Sequence, residues 1–150
     1  MRRRDQRLQL IRAIEREYEV IALAVDTLNQ RLAADSSWLT DQGLARKDLA
    51  QAIRNLQATY MVRLFAEFET GLREAWRRAY RKRSHPRTRE LLIAFAARCS
   101  ISEAWYQAVD EVRQYRNALV HEEDERGDPI AVAVAGRSLC RFFSRLPSHW

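Results

Sequence analysis

The sequence predicts an all-α protein, an up-and-down helical bundle with two long N-terminal helices and three shorter helices. Two observations carry this expectation. Apolar residues return at alternating steps of three and four over long stretches, which is the period of a helix and not of a strand. The 150 residues also hold only four glycines and three prolines, few for the many tight turns of a β-rich chain. The length fits one domain, residues 1–150. The 47% hydrophobic and 31% charged residues supply a core and a solvated exterior respectively.

The first helix is expected from about Asp5 to Ala34. Ile11, Ile14, Tyr18, Ile21, Val25, Leu28 and Leu32 form one stripe, with Arg12, Glu15, Arg16, Glu19 and Asp26 mostly off it. Asp35 to Gly43, reading DSSWLTDQG, is turn chemistry and ends that helix. A second long helix follows from about Leu44 to Arg81, on a stripe of Leu49, Ile53, Leu56, Tyr60, Leu64, Phe68, Leu72 and Ala75, widened by Phe65 and Trp76. At 1.5 Å per residue a helix of about 30 residues reaches roughly 45 Å, and the two long helices are expected to pair as an antiparallel hairpin. Ser84-His85-Pro86 interrupts the pattern, because proline cannot continue a helix but suits the start of a new one. A third helix then covers about Arg87 to Arg98. Ser100-Ile101-Ser102-Glu103 has capping-box spacing and opens a fourth helix from about Ser102 to His121 or Glu122. Glu122 to Gly127 is a charged loop. Asp128-Pro129 signals an N-cap with proline in the first turn of a fifth helix, running to about Arg145. The chain has no internal repeat, low-complexity tract or linker.

The formal charge is +6, and of 26 basic residues only Lys47 and Lys82 are lysine. Arginine presents a planar fork of donors that matches phosphate oxygens and stacks on flat rings. RNA is therefore a natural partner, although a high-GC genome would enrich arginine in the same way. Cys99 and Cys140 fall within apolar helical patterns and read as core fillers, not as a disulfide. The basic start MRRRDQRLQL lacks the apolar stretch of a secretory signal. No run approaches the roughly 18 apolar residues of a membrane span. A cytoplasmic protein without membrane attachment is the expectation.

Three groups of residues are candidates for chemistry. The first lies on the fourth helix, where Arg116 follows Val112 by four residues and precedes Val120 by four, so all three point the same way. An arginine in line with two valines is out of place on a plain solvent face. Either its charge is paired internally or it lies where another molecule covers it. Asn117 and His121, four apart, share the adjoining face, with Asp110 and Arg113 further back along it. The structural alternative is an internal ion pair for Arg116 and a dipole-favoured C-terminal position for His121.

The second candidate is Glu69, an acid on the margin of the apolar stripe. It either faces Arg116 across the core or makes an ordinary pair with Arg73 four residues on. The third is the basic run Arg77, Arg78, Arg81, Lys82, Arg83, Arg87 and Arg89, with Tyr80 interleaved as a surface for a base. A solvated helix end has the same composition. The arginine cluster in Met1–Arg7 is a further contact or a flexible start.

The string Arg116-Asn117-Ala118-Leu119-Val120-His121 resembles the signature of the HEPN superfamily, the higher eukaryotes and prokaryotes nucleotide-binding domains. In that signature an arginine, four to six intervening residues with the first usually polar, and a histidine lie late in a helix of an all-α bundle. The resemblance covers the helical layout of nearly the whole chain, while its diagnostic part is these six residues. It implies metal-independent cleavage of RNA by a homodimer in which both arginine–histidine pairs meet in one cleft. It also implies a toxin or defence effector with an antitoxin or other regulatory partner, and no cofactor. Under it, His121 acts as acid or base, as an imidazole titrating near neutrality can. Arg116 steadies the phosphorane, and Asn117 orients the ring or the phosphate. Some toxin members carry a tyrosine two residues after the histidine, modified by a nucleotidyltransferase antitoxin. Here that position is Glu123, within the acids Glu122 to Glu125, so that mode of control is in doubt.

Other chemistries lack support. The two cysteines and His85, His121 and His149 show no zinc-ligand spacing. There is no phosphate-cradling glycine loop and no serine in a nucleophile elbow.

Overall fold

The computed structural model describes residues 4–80, 86–121 and 128–147. The fold is an all-α bundle, and no strand occurs among the described residues. Its helices are α1 (Arg4–Ala34), α2 (Trp38–Asp41), α3 (Arg46–Tyr80), α4 (Thr88–Arg98), α5 (Glu103–His121) and α6 (Val132–Ser144).

The two long helices form the expected antiparallel hairpin, since early residues of α1 meet late residues of α3. Arg63 grips Glu17 with both terminal nitrogens, at 2.8 and 2.9 Å, while the Tyr60 hydroxyl donates to the same carboxylate at 2.6 Å. Those bonds, from Arg63 and then Tyr60, lower the Glu17 pKa to about 2. Nearer the start of α1, Arg7 is 7% exposed. Its Nη2 and Nε bond Glu74 at 2.7 and 3.2 Å, and its Nη1 bonds Glu67. Burial works against this charge, but the Glu74 and Glu67 bonds outweigh it and hold the guanidinium protonated. Arg4 donates to the carbonyls of Ser144 and Leu146 at 3.2 and 2.9 Å, satisfying orphan acceptors past the end of α6. The N-terminal arginines from Arg4 onward are therefore part of the packed body and not a loose basic tail.

The core gathers on the second half of α3. Tyr60, Met61, Leu64, Phe65, Phe68, Leu72 and Ala75 are all 3% exposed or less. Phe68 meets Phe142 and Phe143 of α6 edge-on, with centroids 5.9 and 6.0 Å apart. Leu91, Leu92 and Phe95 of α4 and Val109 and Val112 of α5 complete the cluster. Leu49, Ile53 and Leu56, earlier on the same stripe, are only half-buried. That part of the hairpin has α2 beside it instead of a third long layer.

Two glycines set helix separations. A Cβ on Gly71 would stand 2.7 Å from the Phe143 ring, and one on Gly136 would occupy the place of the Glu15 carboxylate. Held there, Glu15 has a raised pKa, first from burial and then from Glu19. Cys99 and Cys140 are free and half-buried, as expected of fillers. Burial, with Glu15 next, lifts the Cys140 thiol to about 11.

Three local expectations are corrected. The turn segment 35–43 contains a short helix, α2, because Leu39 finds a buried site and the Arg31 guanidinium covers the Trp38 ring at 4.8 Å. Gly43, at φ +73°, then closes it in the left-handed region. The capping box does not form at Ser100. That residue adopts φ 50°, the Ser102 carbonyl accepts the Trp105 and Tyr106 amides, and Glu103 accepts from Gln107 at 2.6 Å. A carboxylate cap occurs instead at α4, where Glu90 accepts the Arg87 amide at 2.8 Å. Finally, α6 begins at Val132 after an extended Ala131 with no side-chain cap, so Asp128-Pro129 lies before the helix and does not open it.

Candidate functional site

The site is assembled where the C-terminal half of α3, the start of α4 and the second half of α5 meet. On α5, Val112 is 1% exposed and Val120 is 45% exposed. The stripe shared with Arg116 therefore passes from core to surface, and Arg116 sits half-buried at the crossing. Its guanidinium lies over the Phe65 ring, 5.9 Å from the centroid. Nη1 donates to Asn117 Oδ1 at 3.0 Å. Nε is buried and has no hydrogen-bond partner among the described residues. Among the described residues no carboxylate forms a salt bridge with Arg116. A buried N–H without an acceptor costs on the order of 1–3 kcal/mol, and such groups are rare in native proteins.

Glu69 lies one turn beyond Phe65 on α3. Its Oε1 accepts from Arg73 at 2.8 Å and from the Thr88 hydroxyl at the start of α4. Burial pushes this carboxyl up, but the Thr88 and Arg73 bonds and the charges of Arg73 and Arg116 bring it below its ordinary value. Of the two sequence readings of Glu69, the ordinary pair with Arg73 is the one that forms, and among the described residues no hydrogen bond or salt bridge joins Glu69 to Arg116. Arg73 also donates to the Pro86 carbonyl at 2.9 Å, fixing the entry to α4.

Arg113 is committed elsewhere, with its Nε bonding Asp110 at 2.6 Å. Gln114 bonds the other oxygen of Asp110 at 2.7 Å. Burial raises the Asp110 carboxyl, while Arg113, Gln114 and the charge of Arg89 outweigh burial and lower it. His121 is the last residue of α5 and is exposed. It lies one turn from Asn117, the spacing at which helical side chains are neighbours.

The basic run divides. Arg81, Lys82 and Arg83, together with His85 and the acids Glu122 to Glu125, lie outside the described residues. Arg77, Arg87 and Arg89 are exposed and Arg78 is half-buried. Tyr80 packs on Trp76 with centroids 4.0 Å apart, and Arg98 sits over its ring at 5.1 Å. A base stacking on Tyr80 has Arg98 to displace. Sequence reasoning missed Thr88 and Phe65 as parts of this site. The ridge Phe65–Glu69–Arg73, at steps of four on α3, was the available signal.

Among the described residues there is no cluster of potential metal ligands, and no helix is long and apolar enough to cross a membrane. No family model, curated protein or solved structure matches the chain.

Proposed function

We propose that the chain is a metal-independent endoribonuclease of HEPN type, acting in the cytoplasm as a toxin or defence effector under a regulatory partner. One observation carries the reading. Arg116 holds an unpartnered buried Nε and no salt bridge among the described residues, with a bonded Asn117 and an exposed histidine one further turn along α5. An arginine left short of acceptors and facing no bonded acid suits a phosphate, which supplies charge and oxygens together.

In the proposed reaction a base removes the proton of a ribose 2′-OH, and that oxygen attacks phosphorus. The bond from phosphorus to the 5′-oxygen breaks, and an acid protonates the departing oxygen. The products are a 2′,3′-cyclic phosphate and a free 5′-hydroxyl. Arg116 stabilises the charge on the phosphorane, Asn117 keeps the guanidinium in register, and His121 handles a proton. Each chain offers one such histidine, so two chains supply both proton roles in a composite site.

Incubating the purified protein with RNA in EDTA, followed by end-group analysis, tests this reading. Wild type is expected to give cyclic-phosphate ends, and His121→Ala to lose about 10²–10⁴ of the rate, the usual worth of general acid–base catalysis. A wild-type dimer that leaves RNA intact across a range of salt ends the proposal. One observation favours a second reading, a non-catalytic RNA-, nucleotide- or protein-binding module. The Arg116 side chain is half-buried over Phe65, where it also serves packing. Binding with no cleavage by either protein selects that reading.

A further inference from the structure

The two acids nearest Arg116 differ in how their oxygens are occupied. Asp110 is fully occupied, with one oxygen on Arg113 and the other on Gln114. Glu69 is not. Arg73 from its own helix and the Thr88 hydroxyl from α4 both bond the same oxygen, Oε1. Among the described residues Oε2 accepts no hydrogen bond, and it is not sealed from solvent. Glu69 stands one turn past Phe65, the ring beneath the Arg116 guanidinium. The charge of Arg116 reaches it, yet no hydrogen bond or salt bridge joins the two among the described residues. A cation with an open donor therefore stands near an acid with an open acceptor, and neither saturates the other. His121 does not share this place. Five residues further along a helix, a side chain is rotated by about 140°, and His121 is exposed where Arg116 is half-buried.

We propose that Glu69 is the catalytic base, taking the 2′-OH proton on Oε2 while Arg116 holds the neighbouring phosphate and His121 of a second chain acts as the acid. A ribose 2′-OH lies next to its 3′-phosphate, which matches an open acceptor near an open guanidinium. Deoxyribose lacks the hydroxyl that such an acceptor needs. In the step, the O–H bond breaks towards Oε2, the 2′-oxygen bonds phosphorus, and the bond from phosphorus to the 5′-oxygen breaks. An imidazolium gives its proton to the departing oxygen. Glu69 ends as a carboxylic acid and His121 as a neutral imidazole, and water carries the proton back. Arg73 and Thr88 are positioning residues, since two bonds on Oε1 fix the carboxylate and leave Oε2 open. Burial pushes this carboxyl up, but the Thr88 and Arg73 bonds and the charges of Arg73 and Arg116 hold it below its ordinary value, so it is ionised at neutral pH. A phosphate on Arg116 offsets that cation and makes Oε2 a stronger base once substrate is bound. The inference rests on the nuclease reading and puts a carboxylate where that reading has a second histidine.

The pH dependence of kcat/KM for RNA cleavage in EDTA tests the assignment. A carboxylate base puts the acidic limb below about pH 5, whereas a pair of imidazoles puts it near neutrality. Wild type is expected to show the carboxylate limb. Glu69→Gln keeps an oxygen for Arg73 and Thr88, and should cleave about 10²–10⁴ more slowly. Its binding of a labelled oligonucleotide, followed by fluorescence anisotropy, should be no weaker than wild type. Thr88→Val should move the acidic limb to higher pH, because the bond it deletes favours the charged carboxylate. Glu69→Gln and His121→Ala chains, each inactive alone, should regain cleavage when co-expressed, since one site of the mixed dimer is then whole. Should Glu69→Gln fail to fold, the wild-type profile and Thr88→Val still decide.

The assignment is overturned by a wild-type acidic limb near neutrality, or by Glu69→Gln cleaving at close to the wild-type rate. A limb that stays in place in Thr88→Val, or a mixed dimer that stays inactive, overturns it as well. Any of these alongside cleavage by wild type removes Glu69 as the base and leaves the nuclease. No cleavage by wild type removes both.

Discussion

Arg7 and Arg116 both carry a guanidinium into the bundle, and their surroundings differ in kind. Arg7 meets two carboxylates, Glu67 and Glu74, which take up all three of its guanidinium nitrogens. Among the described residues Arg116 meets a phenyl ring and one amide oxygen, and its Nε has no acceptor. The first arrangement is closed, since every nitrogen has its acceptor and the pair of acids outweighs the cost of burial. The second is open. An unfilled buried donor is a standing cost to the fold, and that cost is removed when a ligand brings an oxygen. An arginine that holds the bundle together is thereby told apart from one held ready for a ligand, by its acceptors and not by its depth.

Substitutions can break that contrast, and the largest effect is expected at the closed site. Arg7→Ala leaves two acids unpaired inside the hairpin and should cost about 3–5 kcal/mol by chemical denaturation. A loss below about 1 kcal/mol would mean that the acids simply take up protons or water and that the site is not closed. Next comes Gly71→Ala, whose Cβ presses on Phe143 beside Arg7. Overpacking of this kind costs about 1–3 kcal/mol, offset in part by about 1 kcal/mol of helix propensity. Its melting temperature should fall. For Arg116→Ala the expectation is reversed, with stability within about 1 kcal/mol of wild type and RNA cleavage down by about 10²–10³. A large stability loss there, with binding intact, would move Arg116 into the same class as Arg7.

The smallest effect sharpens the comparison with an exposed pair. Glu17, held by Arg63 and Tyr60, has its pKa depressed to about 2. A depressed carboxylate stabilises the folded state above its unfolded pKa, and that contribution is lost as pH falls through the folded value. Glu17→Gln should therefore be slightly less stable than wild type at pH 6, with the gap closing towards pH 2. Paired denaturation curves across that range measure it. A gap that widens on acidification contradicts the assignment.

The long helices were legible because their stripes run for seven residues or more. On α1 the stripe Ile11 to Leu32 does face inward, and on α3 Tyr60 to Ala75 forms the core. Helix α2 was not legible, since one turn offers too few residues for a period to register. The start of α6 was misplaced because Asp128 and Pro129 carry the right local chemistry a few residues too early. At the site, the position of Arg116 between core and surface followed from Val112 and Val120. The exposure of His121 followed from its place at the end of α5. The partners of Glu69 were half legible: Arg73 lies four residues away, while Thr88 arrives from another helix. Arg7 escaped altogether, since its acids lie 60 and 67 residues along the chain. Trp105 read as one more apolar position, because Arg141 and Arg145, whose guanidiniums lie over its ring, belong to the other end of the sequence, on and just past α6.

The hairpin is thick at one end and thin at the other. From Tyr60 onward α3 is wrapped by α4, α5 and α6, while Leu49 and Ile53 lie outside the buried cluster and Leu56 is only partly buried against it. Amide hydrogens in the thin part have fewer apolar side chains above them, so local opening there needs less free energy than global unfolding. Deuterium should enter residues 20–30 and 46–56 well before residues 60–75, and a protease should find its first cut in the same stretch. The end bearing Arg116 and His121 would stay closed while the other end breathes.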